Sequence, residues 1–456
     1  MARILIRNAL VVATCDEQLG EIEAGDVLVE GKTVARVGQG LDERADEVID
    51  AAGKVVVPGF VNTHHHLYQV LTRCLPAVQD VKLFDWLTYL YDVWSHVTPE
   101  DLHAAARAGL AELLLTGCTQ CADHHYLCPE CAEGDPFEAE ARAAAEIGIR
   151  LHMTRGSMSL GQSAGGLPPD SVIQDEQRIL DDSARVVDRF HDPEPQSMCR
   201  VALAPCSPFS VTPDLMRSVA DLARREKVRL HTHLAETLDE ESFCLERFGK
   251  RPLALMEDLG WVGPDVWFAH CVHLSEPEIA RMAETGTGVA HCPVSNLRLG
   301  SGIAPVPAML RAGVPVGLAV DGSASNDSSN MLRELQLAML VHRVGTAVEA
   351  MPARTVLQMA TLGGSRVLGR DDTGRLAPGM SADLAVFDLS GLAYAGALSD
   401  PLAALLFCGL DQRADLVMVN GELVVREGRL VRADEADLAE AAREASRALL
   451  ASASAS

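Results

Sequence analysis

Lysine is scarce, with five in 456 residues, and none of them (Lys32, Lys54, Lys82, Lys227, Lys250) closes a strand-like run. Aromatic residues are also few, at 4%, against 48% hydrophobic residues overall. An interior built from this chain must therefore be aliphatic, as in many α/β proteins. No apolar run reaches the roughly 18 residues of a membrane-spanning helix. The opening MARILIRNALVVATCDEQ alternates and turns acidic, without the apolar core and small-residue cleavage site of a signal peptide, so a cytoplasmic protein is expected. No Lys/Arg-rich block offsets a net charge of −25, which argues against nucleic acid and anionic membranes as partners. Collagen-like, disordered and repeat classes do not fit.

Twelve cysteines do not make a disulfide framework in so long a chain. Most sit singly in apolar stretches, where thiols behave as small hydrophobes. Cys118, Cys121, Cys128 and Cys131 form two CxxC pairs that superficially suggest a tetrathiolate zinc site. Cys118 and Cys121 flank a strand-like CTQCAD segment, however, and residues three apart on a strand point to opposite faces. Reduced, buried thiols are the expectation.

The chain is too long for one small core and suits a barrel plus a smaller unit. Residues 1–57 read as short strands between turns, and the same texture returns in ADLAVFDL and ADLVMVNGELVVREGRLV, where Asn420-Gly421 marks a tight hairpin. Between them strand-like and helix-like runs alternate about eight times, the pattern of a closed (β/α)₈ barrel. The expected organisation is a composite β-sandwich from both chain ends (1–57 and 368–432), a barrel over 58–367, and a C-terminal helix with a frayed Ser/Ala tail over 433–456.

The chemistry lies at the ends of the barrel runs. PGFVNTHHH carries His64 and His66, which alternation places on the same side, with His65 turned away. A single HxH is a weak signal. His233 ends VRLHTH, His270 ends VWFAH and Asp321 ends VPVGLAVD, so five metal-competent residues close four different runs. Imidazoles with one carboxylate select Zn²⁺, or Fe²⁺ or Mn²⁺, over Ca²⁺ and Mg²⁺. Such a metal lowers the pKa of bound water, and a hydrolase then needs groups to move the protons. Glu236 in HLAE and His273 in HCVH are the candidates, each three residues beyond a ligand, with Asp321 as acceptor of the water's proton. His124, His125 and His291 also follow strand-like runs and are expected to line a pocket rather than ligate.

PGFVNTHHH, HTHLAET, HCVHL, HCPVSNLRLGSG, VDGSASN and the return segment GRLAPGMSADLAVFD together resemble the amidohydrolase superfamily, over nearly the whole chain. Binuclear members bridge two metals with a carboxylated lysine; with no lysine at a strand end, the resemblance implies one metal here. HHHLYQVLTR, ADHHYLCP, TRGSMSLGQSAGGLPPDSVIQDE and ALAPCSPFSVTP are similar to the nucleobase and triazine aminohydrolases, and among these to 8-oxoguanine deaminases. The resemblance implies hydrolysis of 8-oxoguanine to urate and ammonia, with Glu236 protonating a ring nitrogen and then the amine, and His273 and Asp321 positioning and deprotonating the water. It also implies that Gln69 meets the purine edge. The Ala204-Pro205-Cys206-Ser207-Pro208-Phe209-Ser210 stretch lacks the Arg with which guanine deaminases clamp guanine. Arg73, Tyr126 and Arg155 stand open between substrate contact and packing. Alternative substrates are hydroxy-s-triazines, pterins or guanine, and a different reaction class is cyclic-amide or chloro-ring hydrolysis. A small heterocyclic substrate and a homo-oligomer are expected.

Overall fold

The computed structural model describes residues 2–128, 134–408 and 413–455. Eight parallel strands follow one another in chain order: Phe60–Asn62, Cys118–Ala122, Arg150–Ser157, Cys199–Pro205, Arg229–Leu234, Val266–His270, Gly288–His291 and Val316–Leu318. Their residues are almost wholly buried, as expected for parallel strands covered by helices. The intervening helices begin where the sequence supplies side-chain caps. Thr98 and Asp101 cap each other's backbone N–H, with Pro99 in the first turn, and Asp135, Asp175, Thr212 and Thr237 each cap a later helix.

The barrel closes between its last and first strands. Thr63 N and Oγ1 both donate to the Leu318 carbonyl, at 3.0 and 2.9 Å. Just beyond, Asp321–Gly322 forms a two-residue parallel ladder with His65–His66. The closing seam therefore joins two of the segments that carry the expected metal-competent residues.

Both chain ends enter one nine-stranded sheet. Lys54–Pro58 pairs antiparallel with Leu384–Asp388, which pairs with Leu416–Val419. Asn420 and Gly421 both have positive φ (53° and 80°) in the turn before Glu422–Arg426, the conformation an Asn-Gly hairpin supplies. The sheet encloses its own core, including Ile6, Val27, Val56, Leu384 and Met418. The last helix, Glu435–Ala455, continues through the Ser/Ala stretch that was expected to fray. Its Leu438 and Leu449 are buried, and Ser446 Oγ donates to the Leu71 carbonyl at 2.7 Å, so packing overrides the weak helix propensity of serine. No helix is long and apolar enough to cross a membrane among the described residues.

Candidate metal centre

At the C-terminal end of the barrel strands, His64, His66, His233, His270 and Asp321 converge. His64 Nε2 and His66 Nε2 each lie 3.3 Å from Asp321 Oδ1, His66 Nε2 lies 3.1 Å from His233 Nε2, and His270 Nε2 lies 4.0 Å from Asp321 Oδ2. One ligand atom from each of His64, His233, His270 and Asp321 falls within a 4.8 Å cluster. The backbone is bent to make this possible: φ is 71° at His270 and 63° at Asp321, left-handed values that non-glycine residues adopt at a cost and that recur at functional sites.

Each imidazole is fixed from behind. Nδ1 of His64 meets His231 Nε2 at 2.7 Å, and His231 Nδ1 in turn meets the Trp267 carbonyl at 2.9 Å. Nδ1 of His66 meets the His124 carbonyl at 2.7 Å, that of His233 the Cys206 carbonyl at 2.6 Å, and that of His270 the Asn296 Oδ1 at 2.8 Å. With the proton held on Nδ1 by an oxygen or a ring acceptor, every Nε2 presents a lone pair to the centre, the tautomer a ligand requires. Burial pushes the pKa of His64, His66 and His233 down, which keeps them neutral. Burial also opposes the charge on His270, but the carboxylates of Glu236 and Asp321 outweigh it and raise its pKa.

This donor set fits a divalent metal. His64 Nε2 is buried without a hydrogen-bond partner, and the facing His66 and His233 nitrogens would set lone pair against lone pair without a cation between them. Asp321 is similarly prepared: Ser295 Oγ (2.6 Å) and Ser325 Oγ (3.2 Å) donate to Oδ2. Oδ1 is left facing the imidazoles, and burial notwithstanding, His64, His270 and His66 hold this carboxyl well below the usual range.

Glu236 sits beside the cluster, Oε2 3.6 Å from His270 Nε2, and accepts from Ser301 Oγ at 3.3 Å through Oε1. Burial raises its pKa. Glu240, one turn on, accepts from the backbone N–H of Ala235 (2.8 Å) and Glu236 (3.0 Å), fixing the loop that aims Glu236. His273 stands apart from the cluster. Its Nε2 is held by the Ser301 carbonyl at 2.9 Å and it does not line the cavity beside the metal-competent residues. Positive φ at both His270 and Cys271 turns the chain away before residue 273 is reached. His270 instead faces Glu236 and Asp321.

Gln69 and Tyr126 line that cavity, and Gln69 lies so close to Gly322 that a Cβ there would meet its Oε1 at 1.9 Å. Arg73 is turned outward to Glu112 (2.7 Å) and Ser323 (3.0 Å), and Arg155 is buried against Asp182 and Gln174, both at 3.0 Å. Neither reaches the cavity. His65 Nε2 meets Ser329 Oγ at 2.9 Å, outside the cluster, and His291 Nε2 faces His342 Nε2 at 3.1 Å. His124 packs on the cluster, its ring 4.7 Å from that of His233. His125 lines a separate cavity of about 820 Å³ that contains none of the metal-competent residues. Cys121 Sγ accepts from Asn62 Nδ2 at 3.3 Å, and Cys131 lies outside the described residues. His231, Asn296, Ser295, Ser325 and Glu240 were not anticipated. The HTH, HCPVSN and VDGSASN segments contain four of them.

The model of the amidohydrolase family matches residues 55–424. The chain belongs to the amidohydrolase family. As an amidohydrolase it is 48% identical to the 8-oxoguanine deaminase of Pseudomonas aeruginosa, over 99% of this chain and 100% of that one. It is 39% identical to the hydroxydechloroatrazine ethylaminohydrolase of Pseudomonas sp. strain ADP, over 90% and 86%. Among solved structures it is similar to atrazine chlorohydrolase from Arthrobacter aurescens TC1 complexed with zinc, with a TM-score of 0.93 and 37% identity over 97% of this chain and 100% of that one.

Proposed function

We propose that this amidohydrolase removes the 2-amino group of 8-oxoguanine hydrolytically, yielding urate and ammonia. The observation that carries the reaction type is Glu236, a buried carboxyl whose pKa is raised, aimed at the edge of the metal-competent cluster without being inserted among the imidazoles. The substrate rests on the 48% identity to a deaminase of that base. The metal is one Zn²⁺ per chain, held by His64, His66, His233, His270 and Asp321; this nitrogen-rich set suits zinc, and no lysine stands at a strand end to bridge a second ion. Bound there, it would acidify water and polarise the ring.

The chain's own residues carry the protons. Asp321 accepts the first proton of the attacking water. Glu236, which holds a proton more readily than an exposed carboxyl, protonates the ring nitrogen adjoining C2, takes the proton of the C2 hydroxyl as the carbonyl forms and passes it to the departing amine, and the proton on Asp321 restores Glu236 for the next turnover. Water oxygen replaces nitrogen at C2 and ammonia leaves, so the atoms balance. Gln69 meets the purine edge. The cavity has about 30 Å³ of water-sized space, far below the roughly 300–1,000 Å³ of small-molecule pockets. A purine therefore fits only once lining side chains, Trp86 and Tyr91 of the helix Leu83–Trp94 among them, give way.

Ammonia release from the zinc-loaded protein with 8-oxoguanine, guanine, isoxanthopterin and hydroxylated triazines tests the assignment. Highest kcat/KM with 8-oxoguanine is expected; a value no better than for guanine sinks the substrate and leaves the reaction class standing.

A further inference from the structure

The opposite end of the barrel holds a second cavity, of about 370 Å³, at the beginning of the third, fourth and fifth strands. His152, His191, Arg200, Arg224, Lys227 and Arg229 line it against one carboxylate, Asp265. In a chain of net charge −25, the three arginines and one lysine among them create a local field for anions.

The partners of these groups separate the occupied from the free. Arg224 is taken up by Asp265 (3.0 Å) and the Gly260 carbonyl (2.6 Å). Arg200 bonds the carbonyls of Gly369 (3.0 Å) and Pro193 (3.1 Å). Arg229 has no such company: its Nε is buried without a hydrogen-bond partner, and its guanidinium lies over the Trp267 ring at 5.9 Å. His152 is 2% exposed and neither ring nitrogen has a partner. Burial first, and then Arg229, Arg200, Arg370 and His191, hold it neutral. His191 accepts from Val201 N through Nδ1 at 3.0 Å, which puts its proton on Nε2 as a donor. Lys227 caps the helix Pro213–Glu226 in a left-handed conformation (φ 59°) and is exposed, paired with no carboxylate among the described residues.

Buried donors without acceptors are costly, and most proteins contain few. Here Arg229 Nε and both ring nitrogens of His152 are buried without partners in one cavity, with an ammonium and a second imidazole beside them. We propose that this cavity binds a small phosphate monoester, its phosphate held by Arg229, Lys227, His152 and His191, remote from the catalytic end. A guanidinium fork matches phosphate oxygens in pairs, and several donors from separate residues suit a group with three terminal oxygens. The volume falls in the range of small-molecule pockets, roughly 300–1,000 Å³, and exceeds what bare phosphate fills. Val201, Val228 and Leu368 supply an apolar wall for the rest of the molecule.

Calorimetric titration of the metal-loaded full chain with a small sugar phosphate, with inorganic phosphate and with chloride at matched ionic strength tests this. The sugar phosphate is expected to bind saturably, and at least about tenfold tighter than inorganic phosphate. Arg229→Gln should weaken it by roughly tenfold to a hundredfold, the range of a charge-assisted hydrogen bond. Lys227→Asn, at an exposed position that tolerates the left-handed conformation, should weaken it several-fold and serves if the first variant does not fold. No saturable binding, or binding unchanged in the folded variants, overturns the site. Binding lost on metal removal places the anion at the catalytic end and overturns it too. Equal affinity for inorganic phosphate overturns the monoester.

Discussion

The two ends of the barrel use the same residue type in opposite ways. At the C-terminal end His64, His66, His233 and His270 each have Nδ1 fixed by a partner, so that only Nε2 faces inward. At the N-terminal end His152 has no partner on either nitrogen. Trp267 touches both sets, stacked on His231 at 4.3 Å and with the Arg229 guanidinium over its ring at 5.9 Å. The contrast shows what preorganisation consists of: a buried imidazole becomes a directional ligand when its second nitrogen is committed. Left uncommitted, it is a donor or acceptor awaiting something from outside.

The largest effect should come from removing the metal. Chelation is expected to abolish ammonia release and lower Tm, and one equivalent of Zn²⁺ per chain should restore both. An ion present at about a thousand times its dissociation constant contributes about 4 kcal/mol to stability. Two equivalents by elemental analysis would contradict the mononuclear centre. Next, Glu236→Gln keeps the side chain's shape and removes its proton transfer. The expected loss in kcat is about 10²–10⁴-fold with metal content unchanged, and near-normal turnover would take Glu236 out of its role.

The convergence of the metal-competent residues was legible because a β-strand converts spacing into direction: His64 and His66, and the ends of VRLHTH and VWFAH, lie at positions whose side chains share the barrel interior. The same rule reaches His231, two before His233, which supports His64 instead of joining it. His273 lies off this pattern because spacing loses its meaning once the backbone leaves the strand, and two successive left-handed residues intervene. Glu240 was invisible for another reason: it acts through backbone N–H groups, which carry no sequence signature. The eight-strand barrel and the sheet shared by both chain ends followed from alternation and turn residues. The helical Ser/Ala tail did not, since its order comes from packing on residues nearly 400 positions away.

Two smaller effects probe how the C-terminal end is held. His231→Phe preserves a ring against Trp267 and removes the acceptor for His64 Nδ1. Metal affinity should fall about 10–100-fold, measured by competition with a chelator, with little change in kcat at saturating metal. Glu334 accepts from Asn326 Nδ2 (2.7 Å) and Val294 N (3.2 Å) behind Asp321, and burial pushes its pKa up to about 8. A carboxyl raised on folding contributes stability below its unfolded pKa, and that contribution is lost as pH rises toward 8. The Tm of the wild type minus that of Glu334→Gln should therefore fall between pH 5 and pH 8; a difference independent of pH would mean that Glu334 is ionised throughout.

The smallest effect is expected from crossing between the ends. Arg229→Gln removes a guanidinium from the N-terminal cavity without replacing any metal-competent residue, and Trp267 contacts both Arg229 and His231. Trp267 is itself anchored, its Nε1 donating to the Thr63 carbonyl at 3.1 Å, so loss of a cation from one face should not move the other. With no phosphate compound present, kcat/KM should change less than about twofold, because what Arg229 shares with His231 is the Trp267 ring and not a metal-competent residue. Trp267 touches both residues, and if it transmits the loss, Arg229→Gln will lower metal affinity as His231→Phe does. Combining the two substitutions decides between these: additive losses keep the ends independent, and a double variant no worse than His231→Phe alone makes Trp267 the link through which the N-terminal cavity reaches the metal.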